Sequence, residues 1–150
     1  MIYFNLLKNN PIARSLWINQ FLGGLGSWFS NVAIYTLLVY FGSDPFTISL
    51  VAALHLLPGV LQAPFVGPLI DKIAPKHVMT TLLIVECIAT LLLVTVDSPS
   101  MLWALFLLVF IKMGAASFYF TTDMALMPKL LKGDELKHMN ELFAMSWSLT

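Results

Sequence analysis

The chain is 150 residues long, 59% hydrophobic and 11% charged, with a mean hydropathy of +0.85 and no net charge. An average soluble domain carries about 25% charged residues, so this chain cannot cover a water-facing surface, and it has no basic excess with which to bind nucleic acid. The single Cys87 excludes an internal disulfide and a cysteine-based zinc site; set in an apolar run, it reads as a small buried packing side chain.

The first apolar segment is predicted over residues 12–41. Beyond Arg14 it is much longer than the roughly 7–15-residue core of a signal peptide, so it reads as a membrane span. The turn Gly42-Ser43-Asp44-Pro45 leads into a second segment, 46–70, and the short charged stretch 67–77 ends it. A third segment, 77–96, closes at Asp97-Ser98-Pro99, and a fourth follows over 100–122. Each of the four is about 20 residues or longer, enough to cross the hydrocarbon core at about 1.5 Å per residue. A polar stretch from Asp123 to Lys137 then precedes a fifth apolar helix, 138–150, which stops short of a span and is expected to continue in a longer chain. The fold class is all-α, a multi-pass membrane protein. Lys8, Arg14, Lys72, Lys76, Lys129, Lys132 and Lys137 all fall on one side of these spans, and the alternate loops carry no Lys or Arg. By the positive-inside rule the N-terminus is cytoplasmic.

Several features sit inside the spans. His55, Gly59, Ala63 and Gly67 recur every four residues and form a narrow stripe for close helix approach. The stripe serves tight packing or a helix that slides during transport, and Pro58, Pro64 and Pro68 should bend that helix. Asn19, Gly23, Gly26 and Ser30, with Ser27 and Asn31 beside them, give the first span a polar, small-residue face that either packs or lines a cavity.

Three ionisable residues, His55, Glu86 and Lys112, lie about 10 to 12 residues in from the outer loops, and so near the midplane at about 1.5 Å per residue. Asn31 lies at a similar level. A lone charge there costs at least about 2.5–3.5 kcal/mol, so a Glu86–Lys112 ion pair is expected, with His55 or Asn31 nearby. The pair either neutralises two charges or relays protons or substrate. Asp123 follows Lys112 by three turns on the same face, as a cytoplasmic mouth residue or as a solvated interfacial acid. The sequence holds no phosphate loop, nucleophile elbow or His-Glu-x-x-His metal motif, so neither an enzyme nor a metal site is expected.

The stretch 67–77 resembles the signature that major facilitator superfamily transporters carry between their second and third helices, Gly-x-x-x-Asp-basic-x-Gly-x-basic-basic. Gly67, Asp71, Lys72 and Lys76 fit it; Ala74 replaces the second glycine and His77 the last basic residue. Leu126-Met127-Pro128, followed by Glu135-Leu136 and Asn140, is similar to the "Leu-x-Pro…Glu-Leu…Ala-Asn" lead-in to helix five of the branch with enterobactin-type exporters and macrolide-efflux permeases. Met139 stands in place of the alanine, and lysophospholipid transporters have a similar lead-in. Ser27 occupies a position where many of these exporters carry an aspartate, and Thr122 falls near an expected proline.

The resemblance implies the N-terminal helices 1–5 of a twelve-helix fold, in which two six-helix halves rock about a central site. It favours Lys112, Asn31 and Asp123 as cavity residues and assigns Asp71 to a cytoplasmic latch between the halves. The expected function is proton-coupled export of a small amphipathic or organic compound, such as a drug, siderophore or metabolite, by alternating access. A lysophospholipid transporter and a non-transporting scaffold or sensor are the alternatives. No cofactor is expected beyond a proton gradient. The expected partners are a small-molecule substrate and membrane lipid, with the full-length protein monomeric in the inner cell membrane.

Overall fold

The structure, a computed structural model, describes residues 2–149 except for the side chain of Asp71. Six α-helices follow in order: α1 (Ile2–Asn9), α2 (Pro11–Tyr40), α3 (Pro45–Lys72), α4 (Pro75–Leu93), α5 (Leu102–Leu130) and α6 (Asp134–Leu149). A 3₁₀ turn, Pro99–Met101, leads into α5, and no strand occurs among the described residues. Among the described residues, four stretches are long and apolar enough to cross a membrane: Pro11–Tyr40, Pro45–Ile70, Pro75–Leu93 and Pro99–Leu130.

Local chemistry fixes most helix ends. The Oδ1 of Asn10 accepts from the N–H groups of Ile12 (3.0 Å) and Ala13 (3.2 Å), which caps α2. Pro11 stands at the first position, where its missing N–H costs nothing. Gly42 ends the same helix at φ +65, a conformation that favours glycine, and the N–H of Ser43 donates to Leu38 O at 3.0 Å. Asp44 caps α3 through Phe46 N (3.2 Å) and Pro45 follows it; the Thr47 hydroxyl bonded to its carboxylate holds the Asp44 pKa below its usual value. Gly133, at φ +56, precedes Asp134 and Glu135, whose charges favour the positive end of α6.

Several boundaries differ from those the sequence predicts. The stretch 67–77 is mostly helix: α3 runs through Lys72, and only Ile73 and Ala74 separate it from Pro75 of α4. Charge marks the membrane edge there, but it does not stop a helix whose backbone bonds continue. Residues 94–96 fall outside α4 and close with turn bonds, Val96 N to Leu93 O at 3.2 Å among them. The fourth span continues beyond 122 to Leu130, because Met124-Ala125-Leu126-Met127 still favour helix and Pro128 interrupts only near its end. The last helix starts at Asp134 rather than near 138, and α1 is an element that the sequence pattern does not announce.

The chain forms two compact units. In Met1–Ile34 with Ala125–Thr150, the core holds Leu6, Ala13 and Leu16 with Met127, Leu131, Met139, Leu142 and Phe143. In Tyr35–Met124, the core holds Leu38, Val51, Val66, Val78, Ala89, Leu105, Val109 and Ala115. Large apolar side chains such as Phe29, Phe65, Leu91 and Trp103 are exposed, as expected of surfaces that face lipid. Cys87 is also exposed, contrary to the buried reading. In a membrane span an apolar run says nothing about which face is interior; α4 turns Val78 and Ala89 inward and Cys87 outward.

A buried charge pair and the polar face of α5

Within the unit Tyr35–Met124, α4 and α5 bring together the two charges expected to pair. The Lys112 Nζ lies 4.0 Å from the Glu86 Oε1; Lys112 is 2% exposed and Glu86 23%. The Nζ has no hydrogen-bond partner among the described residues, so the contact is electrostatic only. At an effective dielectric constant of 20 such a pair attracts by about 4 kcal/mol, close to the cost of about 2.5–3.5 kcal/mol for one membrane-centre charge. Two such charges together cost about 5–7 kcal/mol, so the attraction offsets only part of the cost of placing them there.

Asp123, 4% exposed, lies eleven residues beyond Lys112 on α5. Eleven residues are three helical turns and about 16 Å, so both groups share a face. Tyr119 stands between them, half-buried, seven residues after Lys112 and four before Asp123. In the sequence Tyr119 is one of many scattered aromatics, although its spacing to two buried ionisable residues is a usable signal.

His55 lies on α3 in the same unit. Its Nδ1–H donates to Val51 O at 2.7 Å, and its ring stacks on Tyr35 with centroids 5.7 Å apart. The imidazole is thus fixed by its own helix and an aromatic neighbour. Asn31, half-buried on α2, belongs to the other unit.

The four-residue stripe on α3 makes close approach at one position. A Cβ on Gly59 would lie 2.7 Å from Ser117 Oγ, whereas one on Gly67 would meet nothing within 4 Å. Ala63 is exposed. Four residues turn a helix by about 400°, so each step drifts about 40° and three steps carry the stripe about 120° round the helix. It cannot face one neighbour throughout. Near Gly59, α3 and α5 also meet at Gly114, where an added Cβ would lie 3.5 Å from the Pro58 Cβ. The Gln62 Nε2–H donates to Gly114 O at 2.9 Å. An open groove of about 380 Å³ beside this contact is lined by Pro58, Gln62, Phe65, Val85, Ile111 and Ala115. On α2, Gly23 and Gly26 have open space where a Cβ would stand.

Of the signature residues, Gly67 and Lys72 lie in α3 and Lys76 at the start of α4, all exposed. Asp71 lies in α3, but its side chain is outside the described residues.

The other unit contains contacts that the sequence did not suggest. The Tyr3 hydroxyl donates to Glu141 Oε2 at 3.1 Å, and the His138 Nδ1 contacts the same oxygen at 3.1 Å. This bond to Glu141 raises the Tyr3 pKa. The Asn10 Nδ2–H donates to Glu135 Oε2 at 3.2 Å, and the Trp17 Nε1–H to Ser146 Oγ at 2.9 Å. Glu135, half of the Glu-Leu motif, therefore ties the start of α6 to the residue that caps α2. No group of three or more His, Cys, Asp or Glu that could hold a metal occurs among the described residues.

All-helical architecture, four membrane-length helices and exposed apolar faces define a multi-pass membrane protein. The family model of the Major Facilitator Superfamily matches residues 16–150, and the chain belongs to that superfamily of secondary transporters. No curated protein and no solved structure gives a significant match.

Proposed function

We propose that this chain is the N-terminal part of a proton-coupled exporter of small amphipathic or organic compounds, working by alternating access in the inner cell membrane with a cytoplasmic N-terminus. The observation that carries this reading is the buried Lys112 facing Glu86 at 4.0 Å with no hydrogen bond to its ammonium. Attraction offsets only part of the desolvation cost in such a pair, so protonating Glu86 releases Lys112 for an anionic or polar substrate group. Deprotonation restores the pair. Asn31 and Asp123 extend the pathway in this reading, and Asp71, Lys72 and Lys76 form the cytoplasmic latch with the other half. No cofactor is needed beyond the proton gradient. The substrate and surrounding lipid are the partners of a monomeric full-length transporter. The one-sided distribution of lysines supports the orientation.

One observation favours a lipid-like substrate as a second reading. The groove between α3, α4 and α5 is apolar apart from Gln62, and its residues Val85 and Ile111 directly adjoin Glu86 and Lys112 in sequence. A single acyl chain would suit that wall.

Full-length protein in dye-loaded vesicles tests coupling. Efflux of a panel of cationic and anionic dyes should depend on an imposed pH gradient and collapse with an uncoupler. The charge swap Glu86→Lys with Lys112→Glu should remain inactive, because a relay needs the acid on α4. Recovered transport in the swap makes the pair purely structural and overturns the relay.

A further inference from the structure

We propose that α1 is an interfacial anchor for anionic phospholipid, with Ile2 and Phe4 among the upper acyl chains and Lys8 at the headgroup phosphates. The anchor is independent of what is transported, and the orientation proposed above serves only to name its leaflet as the cytoplasmic one.

Eight residues cannot span a bilayer, yet α1 exposes two large apolar side chains, Ile2 (61%) and Phe4 (70%). Its other face is occupied: Leu6 is buried, and α1 packs against α6. The Tyr3 hydroxyl bonds Glu141 near one end of α1, and Asn10 bonds Glu135 just past the other. These two bonds fix a direction as well as a position. The acceptors stand six residues apart on α6, about 9 Å along its axis. The Tyr3 end of α1 therefore sits further along α6 than the Asn10 end. Beyond Glu141, α6 continues as Leu142-Phe143-Ala144-Met145, and Met145 and Trp147 are exposed, so that direction leads into hydrocarbon. Ile2 and Phe4 flank Tyr3 at the apolar end, whereas Lys8 lies two residues from Asn10 at the polar end. The offset of about 9 Å falls within the depth of about 5–10 Å to which interfacial helices bury their apolar faces. Phe4 and Lys8 are four residues apart and both exposed, so they share one face of α1. The lysine stem can then run along the lipid while its ammonium reaches the phosphates.

Charge complementarity selects the lipid. The same unit exposes Lys8, Arg14, Lys129 and Lys132, and among the described residues no carboxylate lies within 4.0 Å of any of them. The acids are committed inside the fold. Glu135 accepts from Asn10, Glu141 is held by Tyr3 and His138, and Asp134 stands in the first turn of α6, where it meets the positive end of that helix. The charge left facing outward is positive, which suits an anionic leaflet.

The experiment places full-length protein, in a cysteine-free background that includes Cys87→Ser, in lipid nanodiscs and reads nitroxide spin labels by electron paramagnetic resonance. In discs of phosphatidylcholine with phosphatidylglycerol, a label on Ile2→Cys should be reached by oxygen rather than by a water-soluble nickel chelate. A label on Asn9→Cys should be reached by nickel. Nickel access at both positions places α1 in water and overturns the anchor. A label on Asn5→Cys then reports anchored and released helix as slow and fast spectral components. Lys8→Gln should raise the fast-to-slow ratio about fivefold, the equivalent of about 1 kcal/mol for one lysine at an anionic surface. Phe4→Ser should raise it at least as much, and Lys8→Arg should leave it unchanged. Phe4 and Lys8 are exposed, so neither change removes core packing. Discs of phosphatidylcholine alone should release α1 in the unsubstituted background as well. Identical spectra with and without phosphatidylglycerol put protein rather than lipid against α1 and overturn the proposal. Equal ratios in Lys8→Gln and Lys8→Arg overturn the headgroup contact.

Discussion

At the residue scale, the informative side chains are those whose surroundings do not match their sequence pattern. Gly59 and Gly67 belong to one four-residue series, yet only Gly59 has a neighbour in the way of a Cβ. Gly59→Leu should therefore lower the melting temperature of the purified protein, at a cost of about 1–3 kcal/mol for overpacking. Gly67→Leu should leave the temperature nearly unchanged, as measured by differential scanning fluorimetry. Equal losses would mean that the helix face rather than the single contact matters. Glu86 and Lys112 were legible together because counting inward from two loops fixes depth, and a hairpin sets equal depths side by side.

At the scale of elements, the four long helices were readable because length and apolarity suffice to identify them. Their ends were less so. Asp71 and Asp123 are polar, and polarity at a membrane boundary is easily taken for the end of a helix, although α3 runs on to Lys72 and α5 to Leu130. The eight-residue α1 has neither a span nor a long apolar stripe; its helicity depends on Leu6 packing and on the Tyr3 and Asn10 contacts with α6, which are remote in sequence. The two-residue connection between α3 and α4 places the signature acid Asp71 at a helix end, where the proposed latch would draw on it. Asp71→Asn is expected to reduce transport by about tenfold or more, since a charge-assisted hydrogen bond contributes about 1.5–3 kcal/mol. Membrane insertion, followed by alkali extraction and immunoblotting, should be unaffected. Normal transport by this variant removes the latch reading.

At the scale of the whole molecule, family membership follows from a match that spans nearly the entire chain, while orientation rests on charge distribution. Orientation has a direct test by cysteine labelling, Cys87 being the one cysteine of these 150 residues. In a cysteine-free full-length background that includes Cys87→Ser, Ser43→Cys should react with a membrane-impermeant maleimide on intact cells. Lys76→Cys should react only after permeabilisation. The reverse pattern would invert the proposed topology. The contacts that join α1 to α6 were beyond the reach of sequence patterns, since nothing local announces that residues 3 and 141 meet.

That long separation also has a consequence for biogenesis. Tyr3 and Glu141 lie 138 positions apart, and Asn10 and Glu135 lie 125 apart. At a synthesis rate of about 5–20 residues per second, the N-terminal helix waits roughly 7–28 s for its partners to leave the ribosome. Tyr35–Met124 is one uninterrupted stretch and can begin assembling during that interval. Synthesis halted before Glu135 would leave α1 without these side-chain partners, whereas loss of α1 would remove none of the contacts internal to Tyr35–Met124.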